Sequence, residues 1–330
     1  MNYLKNYFRT RNKLIMVLFF MTILFLGACG KSNSNNSSNN SLEDSGEQTE
    51  LLNVVTTFYP VFEFASQVVG DSANVTVMLK AGQDSHHYEP SPKDLAAIYD
   101  ADVFIYSSDY METWVPAVLE NIMESDVKVI EASQGIPFYE GDSNEEEEDL
   151  DHAGHNHIVD PHIWLDPVYA SQMVETISEG MQVADEEHSK AYEKNTEIYQ
   201  NELKQLDKEF QEAFEGVTNR TFVVQHAAFG YLARRYDLNQ ISVSSLTSEQ
   251  EISPGKLAEI GTFITENNIQ TIYYQDSASA KVAETLAKET DTNLEVLYTI
   301  EGVTLDEQME GIDYLHLMRK NIEALRTTLQ

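Results

Sequence analysis

The chain of 330 residues has one cysteine, only 21 basic side chains against 55 acidic ones, and a single, almost unbroken apolar run about a dozen residues long. Each scarcity excludes something. One cysteine rules out a disulfide framework, so any cross-linking metal site must draw on histidine and carboxylate. A formal net charge of −34 excludes nucleic-acid binding, which needs a basic face to displace phosphate counterions. It also disfavours adhesion to anionic lipid, while suiting a surface that gathers cations. A bilayer-spanning helix takes roughly twenty apolar residues, so the one apolar run is too short to be one. There is no HExxH, no CxxC and no repeat of solenoid period. What is present, 42% hydrophobic residues, is enough to build one large domain or two lobes with real cores.

The first thirteen residues carry Lys5, Arg9, Arg11 and Lys13 and no acid, and the apolar run Leu14–Phe25 follows. That is the order of a secretory signal peptide. Leu26-Gly27-Ala28-Cys29 comes next and resembles a bacterial lipobox, so residues 1–28 are expected to be a lipoprotein signal peptide and Cys29 the diacylated residue. Residues 29–50 are polar, rich in Ser and Asn and free of aromatics, and read as a flexible tether. The protein is therefore expected on the extracellular face of the cell membrane, held there by its lipid.

From Leu51 the texture changes to short β-rich runs alternating with amphipathic segments. The alternation occurs twice, which predicts an α/β protein of two lobes, each a mostly parallel sheet flanked by helices. The N-terminal lobe is expected over 51–190 and the C-terminal lobe over 217–330. Between them 191–216 is one periodic segment with Tyr192, Ile198, Leu203, Leu206 and Phe210 on an apolar stripe, and no Pro or Gly before Gly216. It predicts a single long, stiff linker helix. Residues 140–157 break the pattern with the acidic run Glu145–Asp149 followed by His152, His155 and His157, a low-complexity loop.

Three of the nine histidines fall where predicted strands end or helices begin. His86 lies in Gln83-Asp84-Ser85-His86-His87-Tyr88-Glu89-Pro90 after the second strand. His162 lies in Asp160-Pro161-His162-Ile163-Trp164-Leu165-Asp166-Pro167 before a helix. His226 directly follows the strand Thr221–Val224 in Gln225-His226-Ala227. Strand carboxyl ends are where α/β sheets hold ligands, so the three could converge in the crevice between lobes. Taken singly, each is more often a structural histidine than a ligand. His188 and His316 read as surface or packing residues, the Tyr and Phe richness as mostly core, and Trp114 and Trp164 not as a binding platform.

Taken together the stretches DSHHYEPSPKDL, VDPHIWLDP, AYEKNTEIYQNEL, FVVQHAAFGYLARRY, YYQDSASAKVAETLAKET and EGVTLDEQMEGIDYLHLMRKN, in this order, resemble the cluster A-1 metal-binding lipoproteins. These are the substrate-binding components of zinc and manganese ABC importers. The resemblance spans about Leu51 to Gln330 and implies two α/β lobes joined by a rigid helix, with one metal in the cleft between them. It further implies His86, His162 and His226 as metal ligands, with Glu301 in Tyr298-Thr299-Ile300-Glu301-Gly302 as the fourth and Asp276 as the fallback. Manganese-type members carry Glu at the position of His226. Three imidazoles and one carboxylate suit four-coordinate Zn²⁺, whereas Mn²⁺ prefers more oxygen.

The resemblance therefore implies a monomeric zinc-binding lipoprotein that delivers Zn²⁺ to an ABC permease and catalyses nothing. His152, His155 and His157 are expected to form an auxiliary metal-capturing loop. The rival readings are a manganese carrier, which His226 opposes, a surface adhesin of the same family, and a metallohydrolase. The last would need an open coordination position that Glu301 closes.

Overall fold

Strands of four or five residues alternating with helices build the fold twice over. The structure is a computed structural model and describes residues 51–140, 159–244, 246, 253–275 and 280–329. Cys29, His152, His155, His157 and Asp276, all singled out from the sequence, lie outside the described residues.

The first sheet comprises β1 (Leu52–Thr56), β2 (Ala73–Val77), β3 (Val103–Tyr106) and β4 (Lys128–Glu131), in spatial order β2-β1-β3-β4 and parallel throughout. Crossovers run through α1 (Tyr59–Val69), α2 (Pro92–Tyr99) and α3 (Val115–Ile122). Two helices follow, α4 (Pro167–Ala184) and α5 (Ser189–Phe214). The second sheet repeats the topology with β5 (Thr221–Val224), β6 (Asn239–Ser242), β7 (Thr271–Tyr274) and β8 (Asn293–Val296), in order β6-β5-β7-β8 and again all parallel. Its helices are α6 (Gly230–Arg235), α7 (Pro254–Glu266) and α8 (Lys281–Thr290). After β8 come α9 (Leu305–Met309) and α10 (Tyr314–Thr328).

Local chemistry explains the boundaries. Ser91 caps α2 in a reciprocal box with Asp94, with Pro92 as first helical residue. Asp166 accepts from the Val168 N–H at the start of α4, and Ser253 caps α7. The five-residue α9, absent from the sequence reading, is held by the Thr304–Glu307 capping box. It is too short for periodicity to reveal.

In each sheet the chain reverses its direction of winding between the first and third strands, at β1/β3 and at β5/β7. These switch points open a crevice beyond the strand carboxyl ends. Both sheets are covered on two faces. Val55, Ile98 and Phe104 pack on the outer side of the first, and Val223, Ile264 and Leu286 on the outer side of the second. The inner sides share one continuous core that includes Val54, Phe64, Trp164, Tyr192, Phe210, Phe222 and Tyr314. The two lobes are thus welded through apolar side chains.

The long helix α5 makes much of that weld, packing on α1 and α4 and on α10. Its buried side chains are Tyr192, Thr196, Tyr199, Leu203, Leu206, Phe210 and Phe214. The sequence reading placed Ile198 on this stripe, but Ile198 is 51% exposed. Steps of three and four residues from Tyr192 lead through Thr196 to Tyr199, and Ile198, one residue out of phase, faces solvent.

At the β1/β3 switch point a buried carboxylate holds the strand ends together. Glu112 accepts hydrogen bonds from Thr57 Oγ1 at 2.5 Å, from Ser107 N at 3.0 Å and from Ser108 N at 2.9 Å. Truncation leaves these donors without an acceptor, so Glu112→Ala should destabilise the fold by about 3 kcal/mol. Guanidinium unfolding of the metal-free protein would measure this; an unchanged midpoint would remove Glu112 from the account.

Candidate metal centre

The four side chains inferred from the sequence as a ligand set come together. One donor atom each from His86, His162, His226 and Glu301 lies within 4.8 Å of every other. His162 Nε2 is 3.2 Å from His86 Nε2 and 3.2 Å from His226 Nε2. The imidazole rings meet at 61–76°, so their nitrogens converge rather than stack. Two nitrogens bound tetrahedrally to one zinc, each at ~2.0–2.1 Å, are themselves roughly 3.3 Å apart. The nitrogens already have nearly that spacing.

Each donor reaches this point by a different route. His86 rides on the loop between β2 and α2 and is half-buried. Asp84 shapes that loop, its Oδ1 accepting from the His86 N–H at 2.9 Å while its Oδ2 lies 2.7 Å from His87 Nδ1. His226 follows β5 and is buried. Glu301 follows β8, on a segment whose Ile300 has φ +59°. A β-branched residue in the left-handed region is strained. Burial of the whole Ile300 side chain in the shared core holds it there.

His162 differs from the other histidines. The sequence reading grouped it with strand-end loops, yet its segment leaves an isolated antiparallel bridge, Glu140 with Val159, and runs into a short 3₁₀ turn, Ile163–Leu165. That segment is gripped from the C-terminal lobe. Trp164 Nε1 donates to the Thr299 carbonyl at 2.8 Å, and the Tyr314 hydroxyl donates to the Trp164 carbonyl at 2.7 Å. The Tyr231 hydroxyl accepts from the Tyr139 N–H at 3.1 Å and donates to the Asp160 carbonyl at 2.8 Å. Arg235 Nε and Nη2 both lie 2.7 Å from Asp166 Oδ2, the buried carboxylate that caps α4. A Cβ on Gly230 would fall 2.6 Å from Asp160 Oδ2, so only glycine lets α6 approach this closely.

These ties carry a prediction. Arg235→Met strands a buried carboxylate, and a loss of about 3 kcal/mol in stability is expected. Thermal unfolding with and without Asp166→Asn in the same chain would test the pair. Full additivity of the two substitutions would mean that the residues do not act together.

The electrostatics favour a cation. Asp160 Oδ1 accepts from the His162 backbone N–H at 3.0 Å and lies 2.8 Å from His162 Nδ1. With its hydrogen on Nδ1, the ring turns the Nε2 lone pair toward the other imidazoles. Burial, reinforced by neighbouring His86, pushes the His162 pKa down to about 3, so this imidazole is neutral and ready to coordinate. Glu301 Oε2 accepts from Ser85 Oγ at 2.6 Å, while its buried Oε1 has no hydrogen-bond partner. A buried carboxylate oxygen without a partner is costly. A cation among the three nitrogens would satisfy it.

His188 and His316 lie outside this group. His188 Nδ1 pairs with Asp185 at 2.8 Å where α4 meets α5, and His316 is exposed on the first turn of α10, its backbone N–H capped by Asp313. Trp164 is fully buried. The supporting residues Ser85, Asp160, Tyr231 and Arg235 were not singled out from the sequence. All four fall within the quoted stretches, but nothing local marks their supporting role.

Two parallel-sheet lobes that turn three imidazoles and one carboxylate inward from separate loops define a two-lobed solute-binding protein with a metal-type site. A family model described as zinc-uptake complex component A, periplasmic (ZnuA), matches residues 54–328, and the chain belongs to this family. The family provides substrate-binding components of ABC zinc importers and is not a family of enzymes. The chain is 40% identical over 315 residues to the high-affinity zinc uptake system protein ZnuA of Bacillus subtilis, covering 94% of this chain and 97% of that protein. It is 40% identical over 318 residues to the zinc-binding lipoprotein AdcA of Streptococcus pneumoniae strain R6, covering 96% of this chain but only 61% of AdcA. The crystal structure of the Zn(II)-bound ZnuA-like domain of Streptococcus pneumoniae AdcA superposes with a TM-score of 0.74 at 38% identity, over 85% of this chain and 99% of that one.

Proposed function

We propose that this chain captures one Zn²⁺ between its lobes through His86, His162, His226 and Glu301 and delivers it to an ABC permease. The observation that carries the reading is the convergence of three imidazole nitrogens with a carboxylate oxygen of Glu301, a buried side chain whose Oε1 has no hydrogen-bond partner. Nitrogen-rich, four-donor sets favour Zn²⁺ over Mn²⁺. The names of the relatives, a zinc uptake protein and a zinc-binding lipoprotein, support the same cargo. In the bound form the imidazoles and the Glu301 carboxylate hold the ion. Asp160 keeps the His162 ring in its coordinating tautomer, and the seam around Trp164 excludes water from it.

We propose further that the protein acts as a monomer on the extracellular face of the membrane, anchored by lipid on Cys29 at the end of the 29–50 tether. The lobes are assigned to 51–190 and 217–330, with 191–216 as linker. The acidic loop with His152, His155 and His157 gathers Zn²⁺ at low affinity. Asp276 is left as the alternative to Glu301.

Titration of metal-stripped protein with Zn²⁺ against a chromophoric chelator tests the central reading, with one tight zinc per chain as the expected result. Deletion of 145–157 should leave that zinc in place and remove only weaker binding, because ligands in a low-complexity segment must be ordered at the moment of binding. Loss of the tight site on this deletion would assign the capture role to the loop instead of the cleft.

A further inference from the structure

We infer that Ser85 is a positioning residue that sets metal selectivity, by holding one oxygen of Glu301 so that the carboxylate can offer the metal only the other. This rests on the reading of Glu301 and the three histidines as the zinc ligands. Ser85 comes from the N-terminal lobe, one residue before His86, and Glu301 from the C-terminal lobe. Their hydrogen bond crosses the cleft.

At 2.6 Å, Ser85 Oγ to Glu301 Oε2 is in the short range expected when a hydroxyl donates to a carboxylate. Both residues are buried, at 6% exposure each, so water does not compete for either oxygen. The other oxygen, Oε1, is buried without a hydrogen-bond partner, and one Glu301 oxygen lies within 4.8 Å of the imidazole donor atoms.

The two loops have little freedom to rearrange. A Cβ on Gly302 would lie 2.9 Å from the Ala81 Cα, so the backbone after Glu301 rests directly on the loop that carries Ser85. On the other side Ile300 fixes the approach of the chain in a left-handed conformation. With both backbones fixed, the Ser85 hydrogen bond holds Oε2 in place and draws on its electron density, which opposes a second, bidentate bond to the metal.

Selectivity follows from coordination chemistry. Zn²⁺ is content with three nitrogens and one oxygen in a tetrahedron. Mn²⁺ and other hard divalent cations favour oxygen-rich sites of higher coordination number. A carboxylate restricted to one oxygen denies them the extra ligand. Removing the Ser85 hydroxyl frees Oε2 to join, which opens the site to five-coordination and narrows the gap between the metals.

The test compares the metal-stripped wild-type protein with Ser85→Ala, first loaded with Co²⁺ and then titrated with Zn²⁺ and with Mn²⁺ in competition. Wild-type protein should give the intense visible absorption of tetrahedral Co²⁺, and Ser85→Ala a band several-fold weaker, as expected of a fifth ligand. The preference for Zn²⁺ over Mn²⁺ should fall about 10- to 100-fold, the usual size of an outer-shell effect on a metal site. An unchanged spectrum with an unchanged metal ratio would overturn the inference. So would an equal loss of affinity for both metals with the tetrahedral band intact, which is what a hydroxyl needed only for loop closure would produce. Failure of the wild-type protein to bind Zn²⁺ at all would overturn the ligand assignment beneath it.

Discussion

Replacement of His162 by alanine is expected to lower zinc affinity by ~100- to 1,000-fold, which corresponds to losing one ligand's share of the ~10–16 kcal/mol typical of a four-ligand zinc site. His162 is at the middle of the constellation, its Nε2 3.2 Å from the Nε2 of both other histidines. It is also the most deeply enclosed donor, fully buried and oriented by Asp160. His226→Ala should cost a similar factor. Glu301→Ala should cost less, about tenfold, since a solvent oxygen can replace a carboxylate oxygen at a four-coordinate zinc. Competition against a chelator of known affinity gives all three values. Unchanged affinity in both histidine variants would sink the site assignment, and a larger loss at Glu301 than at either histidine would reverse the ranking.

The second large effect is on stability in acid. In the metal-free protein burial holds the His162 pKa near 3, against an ordinary value of 6.5 in the unfolded chain. Between those limits the unfolded state binds a proton that the folded state does not, so stability rises with pH across the window and is lost on acidification. The stabilisation is present in full above pH 6.5 and disappears progressively toward pH 3. At 1.36 kcal/mol per unit, this one imidazole should cost the metal-free protein about 2 kcal/mol by pH 5 and on the order of 5 kcal/mol by pH 3. The loss is comparable with the whole stability of many domains. Urea unfolding of metal-free wild type and of His162→Gln, run at intervals from pH 7 to pH 4, measures it as a difference in slope. Equal slopes would mean that His162 accepts its proton in the folded state. Zinc should raise and steepen the wild-type curve, because it binds the folded state alone and only through imidazoles that carry no extra proton.

These two expectations rest on different amounts of sequence information. The histidines that matter were visible as three imidazoles near predicted strand or helix ends, and the family resemblance narrowed the set to His86, His162, His226 and Glu301. The alternating texture of the chain was equally plain, because a period of two and a period of 3.6 are written in consecutive residues. The ends of α2, α4 and α7 could be read from Ser91, Asp166 and Ser253, each followed by proline.

Interactions without a local period were hidden. Ile198 and Tyr199 are both apolar neighbours on one helix, and only the packing of α1, α4 and α10 decides which is inside. The grip of Tyr231, Arg235, Thr299 and Tyr314 on the His162 segment joins residues far apart in the chain, as does the hydrogen bond from Ser85 to Glu301. By itself the sequence determined the two α/β lobes, the long helix and the residue types of the site, because propensity, capping and ligand chemistry act within a few residues of one another. The tertiary structure alone decided the spacing of the nitrogens, the pKa of His162 and the single free oxygen of Glu301. Those depend on distances and burial between segments, which exist only once both lobes share one core.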